Sequence, residues 1–338
     1  MAIIESNVDR NRQRLANIIP LEHPFTIYIE QTKYCNFKCY YCMHSTHNKA
    51  DGVFSRNGHQ MQHMDFGLYK KIVEELGNLG IKRIVFSGLG EPLMNPDFPK
   101  FVKYAVDAGI AERVDVLTNG ALITPEYADA LIGAGISNIN ISIQGINAES
   151  YERICGVKLD FEKFLENLAY LYQHRGKTKI YMKCIDAILK TSQERDQFYQ
   201  LFGAISDKIY IEHLVVMQQS MDILHETVDG TLNMYGEEID ANRQICAQCF
   251  YFLQAGVDGE IYPCSIPGVT HDFSIGNINQ SSLREIWNGE KRKKHLRMML
   301  QFRRSEIKQC KNCVCFNCVS DPREYLDADA ERLLKFFE

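Results

Sequence analysis

Cys35, Cys39 and Cys42 stand at a C-x3-C-x2-C spacing directly after an extended apolar run at 25–30. Thiolates this close in sequence make a tight loop of soft donors, the kind that holds an iron–sulfur cluster or zinc. A closed site of either kind wants a fourth ligand, yet the next cysteine is Cys155. The trio therefore predicts a cluster with one iron left open for something else, with a zinc loop as the competing reading. Seven more of the twelve cysteines fall after residue 245: Cys246, Cys249, Cys264, Cys310, Cys313, Cys315 and Cys318.

With Tyr41 just before its last cysteine, the early loop resembles the signature of the radical S-adenosylmethionine (SAM) enzymes. The resemblance implies a 4Fe–4S cluster whose open iron chelates the amino and carboxylate groups of SAM. An electron from the cluster then cleaves SAM to a 5′-deoxyadenosyl radical. The stretch Ser87-Gly88-Leu89-Gly90-Glu91-Pro92 resembles the family's glycine–glutamate–proline motif, with Leu89 standing where a second adjacent glycine is usual. There Gly88 and Gly90 would let the backbone approach SAM, and Glu91 would receive its ammonium. By the same resemblance Thr118 and Asn119 line the cavity. Ser142 bonds the ribose or carboxylate of SAM, and Gln144 faces the site. Arg153 clamps the carboxylate with its planar fork, unless it forms a surface salt bridge instead.

These loops need elements that present them on one side. Asp65 is placed to cap a helix with apolar positions Phe66, Tyr69, Ile72, Val73 and Leu76, ended by Gly77 and Gly80. Strand 81–86 follows, then a helix capped by Asp97 and closed by Gly109, and strand 114–117. A helix opened by Thr124-Pro125, strand 139–143, a helix from Asp160, strand 180–185, a helix near 192–203 and strand 208–215 complete the series. Units of about thirty residues are strand–helix–strand units of a parallel sheet. Six strands from Phe25 onward match the partial (β/α)6 barrel of the family, an α/β fold whose site lies at the carboxyl ends of the strands. Residues 1–24 read as a polar helix or arm, 25–235 as the barrel, 236–320 as a cysteine-rich domain and 321–338 as a charged helix. His44, His47, His59 and His63 read as a solvated loop. Gln144, Glu212, His213 and Met217 are expected to face the cavity.

In the late region Asp258-Gly259 signals a β-hairpin that puts Cys264 on the returning strand. The region resembles the SPASM or shorter twitch extension, which holds auxiliary 4Fe–4S clusters. The resemblance assigns Cys246, Cys264, Cys310 and Cys313 to one cluster, with a zinc ribbon as the alternative. Cys315 and Cys318 form a second C-x2-C that replaces the first pair or starts a second cluster, with one auxiliary cluster favoured. Cys249 is a hydrogen-atom donor if it faces the cavity, and otherwise a ligand or a small buried residue. Cys155 and Cys184 read as barrel wall. The run from Lys291 to Arg297 reads as a solvated helix face.

The chain has 338 residues, 45% of them hydrophobic, and a net charge of −5, which argues against a general nucleic-acid binder. No signal peptide or membrane-length apolar run is visible, so cysteines serve as ligands in a reducing cytoplasm. The resemblance implies a radical SAM oxidoreductase or epimerase fed by a flavodoxin- or ferredoxin-type electron donor. A small substrate is favoured, such as a sugar, aminocyclitol or nucleotide-linked sugar. The alternatives are a peptide-modifying enzyme and a non-enzymatic iron–sulfur electron carrier.

Overall fold

A computed structural model describes residues 2–8, 11–44, 60–77, 79–215, 228–265, 270–318 and 321–338. His47, His59 and Met217 lie outside the described residues. In chain order the elements begin with β1 (Ile3–Ile4), β2 (Thr26–Ile29), α1 (Phe66–Gly77), β3 (Ile81–Phe86) and α2 (Phe98–Asp107). They continue with β4 (Ala111–Thr118), α3 (Pro125–Gly133), β5 (Asn138–Ser142), α4 (Ala148–Cys155) and α5 (Phe161–His174). Then come β6 (Lys179–Ile185), α6 (Ser192–Gly203), β7 (Lys208–Glu212), α7 (Gln248–Tyr251), β8 (Phe252–Ala255) and β9 (Glu260–Tyr262). β10 (Gly276–Asn277), α8 (Leu283–Asn288), α9 (Glu290–Leu300), α10 (Cys315–Cys318) and α11 (Ala330–Leu334) close the chain.

All strands join one sheet in the order β1-β7-β6-β5-β4-β3-β2-β8-β9-β10. β2 to β7 pair in parallel, each reached by a helical crossover, which makes the expected partial barrel. Alternation sorts the side chains. Ile139, Ile141, Ile180 and Met182 pack on Phe164, Leu168 and Phe198 of the covering helices. The residues between them, Asn140, Ser142, Tyr181, Lys183, Tyr210 and Glu212, take the opposite, inner face.

Several expectations need correcting. Of the two readings of the leading segment the arm is the one seen, with a single 3-10 turn at Leu15–Asn17: Ile3 and Ile4 extend the sheet beside Lys208 and Ile209, and Asn7 donates to Asn140 Oδ1 at 2.6 Å. Asp97 does not cap α2 with its side chain; Asn95 instead accepts from the Asp97 amide. β7 stops at Glu212 because His213 turns its amide to the Met234 carbonyl and Asp186 takes the Leu214 amide. Cys264 lies just past β9 instead of on it. The C-terminal segment is not one helix but two 3-10 turns and α11, interrupted by extended backbone at Tyr325. Its Leu326, Leu333 and Phe337 bury against Leu15 and Ile19 of the arm and Leu296 and Met299 of α9. The arm and the tail thus close a second core beneath the cysteine-rich region. The basic run is not a simple solvated face either, since Arg292 is 4% exposed.

Candidate functional site

β2 ends where the early cysteine loop begins, and the loop is pinned from two sides. The Lys38 amide donates to the Cys155 carbonyl at 2.9 Å and the Tyr40 amide to the Ile154 carbonyl at 3.1 Å, fastening it to the end of α4. The Cys42 amide closes a turn on the Cys39 carbonyl at 3.0 Å, and Phe37 is buried with its ring edge against Tyr151. Cys35, Cys39 and Cys42 are half-buried. Burial pushes the Cys35 thiol up to about 12, with neighbouring Glu91, Cys42 and Cys39 adding to the rise. Cys155 Sγ stands 3.6 Å from Cys39 Sγ, so the residue read as barrel wall touches the loop. Among the described residues no three Cys, His, Asp or Glu side chains converge closely enough for a single metal ion. Fit is therefore judged on the donors. Three sulfurs on one pinned turn, where burial makes the Cys35 thiolate costly until a metal cation displaces its proton, suit a metal cluster.

The glycine–glutamate turn after β3 locks onto the same loop. The Glu91 amide donates to the Tyr34 carbonyl, and a Cβ on Gly90 would lie 2.4 Å from the Thr32 carbonyl oxygen. A Cβ on Gly88 would collide with Glu30, whose carboxylate accepts from the Leu89 amide. Glu30 is a residue that sequence reasoning passed over. Glu91 accepts from Thr118 Oγ1 at 2.5 Å, the Asn119 amide at 2.7 Å and the Leu93 amide at 3.1 Å. Burial raises its carboxyl to about 7 against those bonds. Most of the carboxylate's acceptor positions are spent inside the protein, so Glu91 first of all builds the turn. Asn119 reaches across to Asn36 in the cysteine loop at 2.8 Å. On the far side the Tyr41 hydroxyl donates to Gln144, whose amide nitrogen donates to the Ser142 carbonyl. Loops after β2, β3, β4 and β5 therefore meet in one hydrogen-bonded group.

Arg153 does not join them. α4 turns Tyr151, Ile154 and Cys155 inward and leaves Arg153 exposed. It lines a separate cavity of about 160 Å³ with Gly145, Asn147, Ser150 and Glu194. His44 is no solvated residue: it is buried with Nε2 at 3.0 Å from the Lys33 carbonyl oxygen, and burial lowers its pKa. His63 packs on the Tyr34 ring.

The inner face of the barrel pairs buried Glu212, expected there, with half-buried Lys183, which the alternation over 179–185 could have announced. Lys183 Nζ lies 2.6 Å from Glu212 Oε2, and the Tyr181 hydroxyl donates to Glu212 Oε1 at 3.2 Å. Register sets Lys183 directly beside Ser142. His213 points elsewhere, to Asp186 Oδ2 at 2.6 Å and the Asp229 carbonyl at 2.9 Å.

A second sulfur site lies at the opposite end of the strands. β8 runs parallel to β2 with Phe252 beside Thr26, so Cys246 and Cys249 precede the amino-terminal edge. β9 returns toward that edge and delivers Cys264. One cavity is lined by Cys246, Cys249, Cys264, Cys310, Cys313 and Cys315. The four cysteines assigned to a cluster are thus together, with two spare thiols beside them. Cys318 is not among the lining residues; its sulfur faces the Val314 carbonyl oxygen at 3.3 Å. Cys249 is 2% exposed with its sulfur 3.2 Å from the Cys246 carbonyl oxygen, and burial raises its thiol. It faces this cavity and not the group of loops around Gln144, which removes the geometric condition for the donor role. Six sulfurs from three separate segments around one apolar cavity fit a cluster better than chance packing does.

Residues 29–190 match the family model described as the radical SAM superfamily, and residues 246–314 match the SPASM iron-sulfur cluster-binding domain. An AdoMet-dependent heme synthase of Methanosarcina barkeri is 25% identical over 305 residues, covering 78% of this chain and 82% of its own. A PqqA peptide cyclase of Granulibacter bethesdensis is 22% identical over 293 residues, covering 80% and 75%. Among solved structures, BtrN in complex with AdoMet and 2-DOIA shares the fold, with a TM-score of 0.55, 20% identity, and coverage of 86% of this chain and 92% of that one.

Proposed function

Because the chain belongs to the radical SAM superfamily and carries a SPASM domain beyond its barrel, with SAM and 4Fe–4S clusters as cofactors, we propose that it dehydrogenates a small polar substrate in the barrel lumen. When bound, SAM and its cluster supply a carbon radical that takes a hydrogen atom from substrate, and the auxiliary cluster supplies an electron acceptor. Cys35, Cys39 and Cys42 would hold the first cluster; Cys246, Cys264, Cys310 and Cys313 would hold the second. The Gly88–Gly90 backbone, Tyr41, Thr118, Asn119, Ser142 and Gln144 would seat SAM. Glu212, steadied by Lys183 and Tyr181, stands on the inner face as the proton acceptor for a substrate hydroxyl, with Ser142 beside Lys183.

The observation that carries this reading is the polar inner wall between two sulfur sites at opposite strand ends. Hydroxyl-rich substrates such as sugars or aminocyclitols match such a wall, and Cys249, the thiol read as a hydrogen-atom donor for epimerisation, faces the other sulfur site instead. A flavodoxin- or ferredoxin-type donor and a reducing, cytoplasmic setting go with the same reading; no described helix is long and apolar enough to cross a membrane. The heme synthase and peptide cyclase relatives favour a second reading, oxidation of a tetrapyrrole or peptide side chain.

Anaerobically reconstituted protein given SAM and dithionite should release 5′-deoxyadenosine and hold about eight irons per chain, two 4Fe–4S units. No 5′-deoxyadenosine under several reductants would leave an electron carrier. In heavy water the product should be two hydrogens lighter than the substrate; a solvent deuteron on carbon would replace dehydrogenation with epimerisation. Turnover of a porphyrin or peptide, with sugars inert, would select the second reading.

A further inference from the structure

Of three arginines at the late cysteine cavity, Arg304 lines it, while Arg292 and Arg243 stand behind its wall on the Cys249 and Phe316 carbonyls, and none has a carboxylate within ion-pair reach among the described residues. Arg292 is 4% exposed. Its Nη1 donates to the Trp287 carbonyl at 3.0 Å, and its Nη2 to the Cys249 and Phe250 carbonyls at 3.3 and 3.2 Å. The guanidinium carbon lies 3.3 Å from the Trp287 ring centre, and Nε has no partner at all. Arg243, also 4% exposed, donates to the Phe316 carbonyl at 2.8 Å and leaves Nε and Nη2 unsatisfied. Arg304 donates to the Cys310 and Cys313 carbonyls at 2.5 and 3.0 Å and lies over Phe316. The nearby carboxylate of Glu324 pairs with Arg12 and reaches Arg243 only electrostatically, so it offsets part of the Arg243 charge and none of that on Arg292 or Arg304.

A buried cation with no counter-charge is costly and persists when an anion is to sit beside it. Burial drags Arg292 down to about 9, opposed only by Cys249. The four assigned thiolates on a 4Fe–4S core would carry a formal charge of about −2, becoming −3 when one electron is added, so fixed cations favour the reduced form.

We propose that Arg243, Arg292 and Arg304 balance the charge of the auxiliary cluster and raise its reduction potential, making it an electron acceptor. This rests on the cysteine assignment given under Proposed function. The arginines act on the cluster and are positioning residues; they do not touch substrate.

The test uses the full chain with Cys35, Cys39 and Cys42 replaced by alanine, so that only the auxiliary cluster remains. Its midpoint potential is followed by EPR during a redox titration. Arg304→Gln should lower the potential by at least about 59 mV, a tenfold loss of one-electron affinity, and Arg292→Gln should do the same. Arg292→Lys and Arg304→Lys should restore most of it. If the variants keep about four irons and an unchanged potential, the arginines only tie backbone carbonyls and the proposal is overturned. Should Arg292→Gln fail to retain iron, the half-buried Arg304 decides the matter. If the parent holds no iron, or if Cys264→Ala in that parent loses none, the cysteine assignment itself is wrong, a failure separate from that of the arginines.

Discussion

Gly90 shows how tightly single residues set the barrel mouth. Its absent side chain is the space into which the backbone of 32–34 fits, and backbone cannot step aside as a flexible side chain can. Gly90→Ala should cost about 1–3 kcal/mol of stability, the usual range for overpacking, and should abolish SAM binding measured by calorimetry. Gly133→Ala is the control: nothing lies within 4 Å of the added methyl, so the change should be neutral or stabilising by up to about 1 kcal/mol. The motif in the sequence announced a glycine there but not its reason, since contact with residues some sixty positions earlier is invisible in one dimension. His213 gives a pH-dependent case. Burial pulls its imidazole down, yet Asp186 and the Asp229 carbonyl more than offset that and leave its pKa raised. A raised basic group stabilises the fold below its unfolded value of about 6.5, and that stabilisation fades as pH climbs through the folded value. Thermal melts of wild type and His213→Asn should therefore diverge at pH 6 and converge by about pH 9. A gap that stays constant with pH would mean that the imidazole acts only by its shape.

At the scale of elements, the parallel strands and their helices were legible because each carries a clear period and a punctuating residue. Asp65, Thr124-Pro125 and Asp160 start helices where expected, and Gly80 and Gly109 take positive φ at the turns. The edge pieces were not legible. β1 is two residues with both side chains largely exposed, so no hydrophobic pattern marks it. The broken tail offered apolar residues at helical spacing, but the chain turns extended at Tyr325, and the pull of a core shared with the arm and α9 decided its path. That shared core yields a prediction. Leu333 is fully buried in it, so Leu333→Ala should cost about 2–5 kcal/mol locally. Because the core backs onto α9 and α7, which flank the late cysteines, partial unfolding should release the auxiliary irons first. Iron counts after mild warming should fall from about eight toward four, with SAM cleavage persisting; loss of all irons together would show that the two cores unfold as one.

Across the whole molecule the two sulfur sites are built by different parts of the chain and meet only through the sheet. The early trio follows the carboxyl end of β2, while Cys246, Cys249 and Cys264 lie beyond the amino-terminal edge of β8 and β2. The four paired residues Thr26–Ile29 alone hold them at least about 10 Å apart. Sequence reasoning separated the two sets of cysteines by domain but could not tell that one continuous sheet joins them, because β8 is too short a run to reveal its partner. Cys264→Ala should keep about four irons and the change in the cluster's EPR signal when SAM is added, yet lose substrate oxidation. Cys39→Ala should keep the other four and lose SAM cleavage altogether. If either substitution empties both sites, the barrel does not insulate them, and electron transfer between separate clusters would have to give way to a single shared iron site.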